Sequence, residues 1–456
     1  MTTFATVDPT TGESLQGFTT LSDEGVQRAL EASGAAYDGW SRISVADRAN
    51  VLRSLAGLYR RHSVELAKLT TLEVGKPITQ ALGEVELAAS IYLYYADQGP
   101  DLLADEELSI AGEGRAVVRN APIGPLLGVM PWNFPYYQVA RFVAPNLLLG
   151  NTILIKHAPT CPQQALRMED LAAAAGAPAG VYQNVFSSVD QVATIIASPH
   201  IHGVSLTGSE RAGRAIGELA GRHLKKCVLE LGGSDPLIVL ADSDLIQAAS
   251  AAAAGRFGNA GQVCTSSKRL IVESSVYDEF LAEFVINATQ WQSGDPTNAE
   301  TRLGPMASLD GRDELAAQVQ DAIEHGATVH LGGKVPDRPG AWYPATVLSG
   351  VTPPMRAYRE ELFGPVAVLY RVNSLDEAVD LANQSDYGLG GAVFTADAAR
   401  AIEVADRLEV GMVGINTTIK SAPDLPFGGV KRSGVGRELA RFGLDEFANK
   451  KLIRLI

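Results

Sequence analysis

The chain has 456 residues, 46% of them hydrophobic and 20% charged, with 52 acidic against 38 basic side chains and a net charge of −14; that length holds two or three cores rather than one, and the composition is that of a globular protein. The acidic balance argues against nucleic acid or an anionic membrane as a partner. The three cysteines, Cys161, Cys227 and Cys264, are too few and scattered for a disulfide framework or a zinc site, and the seven histidines lack ligand spacing, so no metal is expected.

The opening MTTFATVDPTTGE is polar and turn-rich. No basic stretch leads into an apolar one, no apolar run reaches the length of a membrane span, and the expected location is the cytoplasm. From about Ser22 to Gln98 the pattern is helical. Ser22 and Ser44 read as N-caps followed by acidic residues, and Leu52, Leu55, Leu58 and Tyr59 recur at helical spacing. Gly75-Lys76-Pro77 ends one helix. The segment RAVVRNAPIG, Arg115–Gly124, reads as half of an exposed β-ribbon.

Between Asn151 and Leu240, short β-prone runs (TILIK, VYQNVF, HGVSL, KKCVLEL, PLIVL) alternate with Ala-rich helical stretches. Such alternation predicts a parallel sheet with crossover helices. A second series runs from Asp244 to Asn416, with RLIVE, FGPVAVLYRV, GAVFT and GMVGIN as strands. Two α/β domains are therefore expected, joined near Glu230–Asp235, where a cleft would lie. The closing KLIRLI is an apolar-rich strand with no partner nearby in sequence. An unpaired terminal strand invites pairing with another subunit.

Two segments on either side of the join carry chemistry: ELGGSDP at Glu230–Pro236 and GQVCTSSKR at Gly261–Arg269, the latter ending on basic Lys268 and Arg269. A thiol can attack an electrophilic carbon, and a carboxylate can activate the water that releases the product. The pairing, read with the rest of the chain, points to covalent catalysis on an aldehyde. The glycine fingerprint of dinucleotide folds is missing, since GVGREL at Gly434–Leu439 and GEGRAV at Gly112–Val117 both lack the third glycine. SLTGSERAGRAIG offers a different phosphate site. It turns at Thr207-Gly208-Ser209 into a helix whose N-terminus could hold a pyrophosphate, an ordinary capping serine being the alternative.

Seven motifs in order, PWNFP (Pro131–Pro135), IKHAP (Ile155–Pro159), LTGS (Leu206–Ser209), ELGG (Glu230–Gly233), GNAGQVCTSSKR (Gly258–Arg269), ELFGP (Glu361–Pro365) and PFGGVKRSGVGRE (Pro426–Glu438), give the chain its resemblance to the aldehyde dehydrogenase superfamily. The resemblance implies an α/β fold with two parallel-sheet domains and a small β oligomerisation arm. The cofactor-binding domain would be a modified Rossmann fold over 1–106 and 125–232, without the usual fingerprint. The catalytic domain would cover 233–432. The arm would cover 107–124 and 433–456 and support a homodimer or homotetramer.

The same resemblance implies roles for named residues. Cys264 would be the nucleophile. A free thiol titrates near about 8.5, so thiolate chemistry at neutral pH needs that value lowered. The Asn133 amide and the Cys264 N–H would stabilise the oxyanion. Glu230 would be the base that activates water, its pKa raised if it is desolvated. Glu361 would bind the nicotinamide ribose with Phe363 nearby. Trp132, Lys156, His157, Ala158, Pro159, Gly208, Ser209 and Leu231 complete the expected cofactor set. Pro159 stands where relatives that prefer NAD often carry an acid, so NADP is expected ahead of NAD.

Arg141 and Ser421 resemble the substrate-carboxylate residues of the branch that oxidises succinate semialdehyde, and a guanidinium suits a distal carboxylate. A second arginine found in some of that branch is here Gly258, and Ser266 excludes a disulfide at that spacing. Three alternatives stay open: oxidation of uncharged medium-chain or aromatic aldehydes, a CoA-acylating enzyme (disfavoured by Glu230), and a non-catalytic protein on the same fold.

Overall fold

The computed structural model describes residues 4–456. The expected capping signals set the first helices. Ser22 Oγ accepts from Gly25 N ahead of helix Asp23–Trp40, and Ser44 Oγ accepts from Asp47 N ahead of helix Val45–Arg61. Helix Ser63–Val74 stops at Gly75, whose φ of 76° places it in the left-handed region. With helix Ile78–Leu102 these elements bury Leu52, Leu55, Tyr59, Val85 and Tyr92 in one core, shared with helix Pro135–Leu149.

Five parallel strands follow in chain order: Leu126–Val129, Ile153–Lys156, Tyr182–Asn184, Gly203–Thr207 and Lys226–Glu230. Numbered in that sequence, their spatial order is 3-2-1-4-5, with helices between them. This is the strand order of a Rossmann domain, in which ligands bind beyond the carboxyl ends of strands 1 and 4, where the winding reverses.

The second sheet has seven strands, ordered Thr328–Leu331, Thr346–Ser349, Val366–Val372, Ser267–Glu273, Asp235–Val239, Gly390–Phe394 and Met412–Ile415. All neighbours are parallel except the first pair. The chain leaves one sheet at Glu230 and enters the other at Asp235.

The arm is smaller than expected. Strand Ala448–Leu455 pairs antiparallel with Arg115–Pro122, which in turn pairs with Glu106–Leu108. The terminal strand thus has an in-chain partner on one edge. Residues 433–447 do not belong to this sheet. Gly434–Val435 adds an antiparallel strand beside Lys226–Glu230, and Glu438 and Leu439 are buried. The backbones approach so closely there that a Cβ on Gly434 would sit 1.8 Å from Leu229 O. Among the described residues no helix is long and apolar enough to cross a membrane.

Candidate active site

The carboxyl ends of strands 1 and 4 of the Rossmann-ordered sheet carry Pro131-Trp132-Asn133 and Thr207-Gly208-Ser209, and both segments line one cavity of about 280 Å³. Leu231, Gly232, Glu361, Phe363, Gln138 and Cys264 close it. Of the residues singled out from sequence, the structure therefore gathers Cys264, Asn133, Trp132, Gly208, Ser209, Leu231, Glu361 and Phe363 around one space. Trp132 and Phe363 meet edge to face, with centroids 5.7 Å apart.

The loop that presents Cys264 is forced into shape. Asn259, Ala260 and Gly261 have φ of 51°, 51° and 68°, three consecutive left-handed residues. A Cβ on Gly261 would lie 2.3 Å from Gly364 O, so only glycine fits against the ELFGP segment. Such a turn costs on the order of 1–3 kcal/mol per non-glycine residue and persists only when its surroundings fix it. They do here. Asn259 Nδ2 donates to Asn133 O at 3.0 Å, and Arg256, fully buried, donates to Gly261 O at 3.2 Å and to Leu362 O at 2.8 Å. Lys268 donates to Val263 O at 2.9 Å and Cys264 O at 2.8 Å, and pairs with Glu361 at 3.2 Å.

Asn133 is held from both ends. Its carbonyl accepts from Lys76 Nζ at 2.8 Å, and its Nδ2 donates to Gln262 O at 3.0 Å. An amide has two N–H donors, so one is left without a partner among the described residues, and Asn133 lines the cavity. Burial pushes the Cys264 thiol up to about 12, against the pull of Arg141 and Lys268. This runs against the lowering expected from sequence: loss of water around the sulfur outweighs the nearby cations.

Glu230 is buried, 3% exposed, and does not line the cavity. Its Oε1 has no hydrogen-bond partner among the described residues and lies toward Gly428. Burial raises its pKa well above the carboxylate range, with Arg141 opposing, in the direction expected from sequence.

Arg141 departs most from expectation. It is neither a surface residue nor a free guanidinium facing the cavity, but is fully buried and ion-paired with Glu438. Burial works against its charge, yet Glu438 lifts its pKa above the usual value. Its Nη1 donates to Tyr137 Oη at 3.2 Å, and Tyr137 donates on to Ser421 Oγ at 2.7 Å. Arg141 and Ser421 are thus linked through a tyrosine, and the Phe427 ring stacks on the guanidinium at 4.3 Å.

Lys156, His157, Ala158 and Pro159 lie outside the cavity lining, at the end of strand Ile153–Lys156. The His157 ring is fully buried, and burial, then Lys156, lower its pKa to about 3. Its neutral imidazole belongs to the core, so only its main chain could face a cofactor. Lys156 is 9% exposed, and burial brings it down to about 8. Among the described residues no carboxylate pairs with it. Its Nζ stands 5.6 Å from the Phe4 ring, and Ala5 N donates to Pro159 O at 3.0 Å. An unpaired buried cation, a helix N-terminus at Ser209 and the unobstructed face of Gly208 suit a dinucleotide: Lys156 for a ribose or its phosphate, Ser209 for the pyrophosphate, Glu361 for the second ribose.

A model of the aldehyde dehydrogenase family matches residues 1–453. The chain belongs to this family. It is 54% identical over 451 residues to a succinate-semialdehyde dehydrogenase [NADP(+)] of Deinococcus radiodurans, covering 99% of this chain and 94% of that one. The fold of this aldehyde dehydrogenase superposes with TM-score 0.99 on the structure of Gox0499, at 44% identity and full coverage of both chains. It superposes with TM-score 0.97 on a succinic semialdehyde dehydrogenase from Streptococcus pyogenes in complex with NADP+, at 41% identity and 99% coverage of both.

Sequence reasoning missed Gln138, Tyr137 and Glu438, and gave Lys268 no role. The helical offset of Tyr137 and Gln138 from Arg141 was a usable signal for two of them. Glu438 had none, because its partner is so distant in sequence.

Proposed function

We propose that the enzyme oxidises succinate semialdehyde to succinate with NADP as the preferred hydride acceptor and NAD as the weaker one. The observation that carries this is the convergence of Cys264 and Asn133 on one cavity at the Rossmann switch point, with the Arg141–Tyr137–Ser421 hydrogen-bond chain starting from helix Pro135–Leu149, which follows Asn133 in sequence. The relatives named above support the substrate and the cofactor.

Cys264 loses its thiol proton to solvent, its Sγ adds to the aldehyde carbon, and the carbonyl oxygen takes up negative charge. The free N–H of Asn133 and the main-chain N–H of Cys264 stabilise that charge more than they stabilise the neutral carbonyl. Bound NADP supplies the acceptor for the hydride that leaves the carbon. The thioester that remains on Cys264 is hydrolysed by water, from which Glu230 removes a proton once its carboxyl turns from Gly428 toward the sulfur. Succinate leaves and the thiol is restored. The distal carboxylate meets the hydroxyls of Ser421 and Tyr137, with the Arg141 charge behind them.

The arm supports self-association into a dimer or tetramer, since Leu452, Leu455 and Ile456 are exposed on it and the terminal strand keeps one unpaired edge among the described residues. A mechanism that needs a reduced thiol suits the cytoplasm. The deciding experiment is steady-state kinetics with succinate semialdehyde and with butanal, each with NADP and NAD. A kcat/KM for the semialdehyde at least about tenfold above butanal, equivalent to about 1.4 kcal/mol, supports the assignment. Equal values favour the broader aldehyde reading, which the closed Arg141–Glu438 pair and the aromatic Trp132 and Phe363 walls would then explain.

A further inference from the structure

We propose that Lys268 is a positioning residue that aims the Cys264 main-chain N–H at the reacting oxygen and ties that aim to the cofactor-side carboxylate Glu361. The inference rests on the reading of Cys264 as nucleophile and of its N–H as an oxyanion donor.

An ammonium has three N–H donors and no acceptor. Lys268 Nζ donates to Val263 O at 2.9 Å and Cys264 O at 2.8 Å, and pairs electrostatically with Glu361 Oε1 at 3.2 Å. The side chain is 1% exposed, so no water competes for these bonds. Val263 C=O and Cys264 N–H belong to one peptide group. Because that group is planar and trans, its oxygen and its hydrogen point in opposite directions. A cation gripping the oxygen therefore fixes where the hydrogen points, and it polarises the unit so that the N–H becomes a stronger donor. The second bond, to Cys264 O, fixes the next peptide plane. The nucleophile is clamped on both sides by one side chain.

The clamp is anchored at the cofactor side. Glu361 Oε1 also accepts from Gly233 N at 3.0 Å, while the residue lines the cavity. A Cβ on Gly233 would lie 2.6 Å from Cys264 O and 3.0 Å from Asp235 Oδ1. The glycine thus lets the ELGG turn, the Cys264 loop and the Lys268 cluster close on one another. A side chain pointing to solvent would need none of this packing.

The test compares two reactions of apoenzyme Cys264 at one pH. Hydrolysis of p-nitrophenyl acetate proceeds by sulfur attack on the ester carbonyl, loss of p-nitrophenolate and hydrolysis of the acetyl thioester, so it uses the oxyanion donors. Alkylation by iodoacetamide, followed by peptide mass spectrometry, displaces iodide and creates no oxyanion. First-turnover release of p-nitrophenolate and alkylation both scale with the thiolate fraction, so their ratio cancels a change in that fraction. In Lys268→Met the ratio of first-turnover p-nitrophenolate release to alkylation falls at least about tenfold, part of the 10²–10³ that loss of a whole oxyanion donor costs, while NADP still binds by tryptophan fluorescence. If Lys268→Met does not fold, Lys268→Arg carries the test, because a planar guanidinium cannot meet the same three oxygens, and the ratio falls there too. A ratio within twofold of the native value in the folded variant overturns the inference. Full aldehyde oxidation by Cys264→Ala would instead overturn the reading beneath it.

Discussion

Arg141 and Glu438 form an ion pair buried beneath the candidate site, joining helix Pro135–Leu149 to the segment that follows the PFGG motif. Removing one partner of such a pair leaves an uncompensated charge, so Arg141→Leu should destabilise the protein by about 3–5 kcal/mol, whereas Arg141→Leu/Glu438→Leu should recover most of that. In the double variant KM for succinate semialdehyde should rise at least about tenfold, or about 1.4 kcal/mol, with KM for butanal nearly unchanged. Urea titration and the two KM values check this. Equal KM shifts for both aldehydes would remove Arg141 from substrate recognition.

Glu230→Gln keeps the shape of the side chain but cannot accept a proton. The thioester should form and then stall. Stopped-flow absorbance at 340 nm should show one NADPH per Cys264 in the first turnover, followed by a steady rate lowered about 10²–10⁴-fold. An unaltered steady rate would mean that another group activates the water.

Asn133→Ala removes the side-chain amide and leaves the main-chain carbonyl that Lys76 and Asn259 hold. A loss of about 10²–10³ in kcat is expected, with KM little altered, because the donor acts on charge that exists only in the transition state. A KM effect with intact kcat would point to ground-state binding instead.

Asp235 gives a pH signature. Burial, partly opposed by Lys268, raises its carboxyl from 3.8 to about 8. The folded protein therefore holds a proton that the unfolded chain has already released. The stabilisation is complete below pH 4 or so and is lost as pH rises toward 8, at up to about 1.4 kcal/mol per unit. Asp235→Asn cannot titrate, so its Tm should vary less than the native Tm between pH 5 and 8. Parallel Tm profiles for the two proteins would contradict this.

Pro159→Glu should shift cofactor preference. A carboxylate close to Lys156 can accept from a ribose hydroxyl but repels a 2′-phosphate. KM for NADP should rise at least about tenfold, or about 1.4 kcal/mol, with that for NAD equal or lower. Unchanged NADP kinetics would move the phosphate site away from Pro159.

Local signals carried most of the fold. Ser22, Ser44 and Gly75 bounded helices because capping is decided within a few residues, and the β-prone runs of both sheets became strands. Elements lacking a local signature escaped notice. Leu126–Val129, the first strand of the cofactor-type sheet, has only four residues between turns. The hairpin of Phe4–Val7 and Ser14–Phe18 is short and half exposed, and Thr328–Leu331 is a short, largely exposed edge strand. At the site, motif residues such as Asn133, Cys264 and Glu361 could be read because their spacing is a property of the chain. The partners of Arg141 and Lys268 could not, because a buried charge chooses its counterion through tertiary packing.

The contact of Ala5 with Pro159, and of the Phe4 ring with Lys156, sets strand Phe4–Val7 against the segment proposed to hold the adenosine ribose. Trimming those few residues, or fusing a bulky tag directly to them, would leave every recognisable motif intact and still blunt dinucleotide affinity.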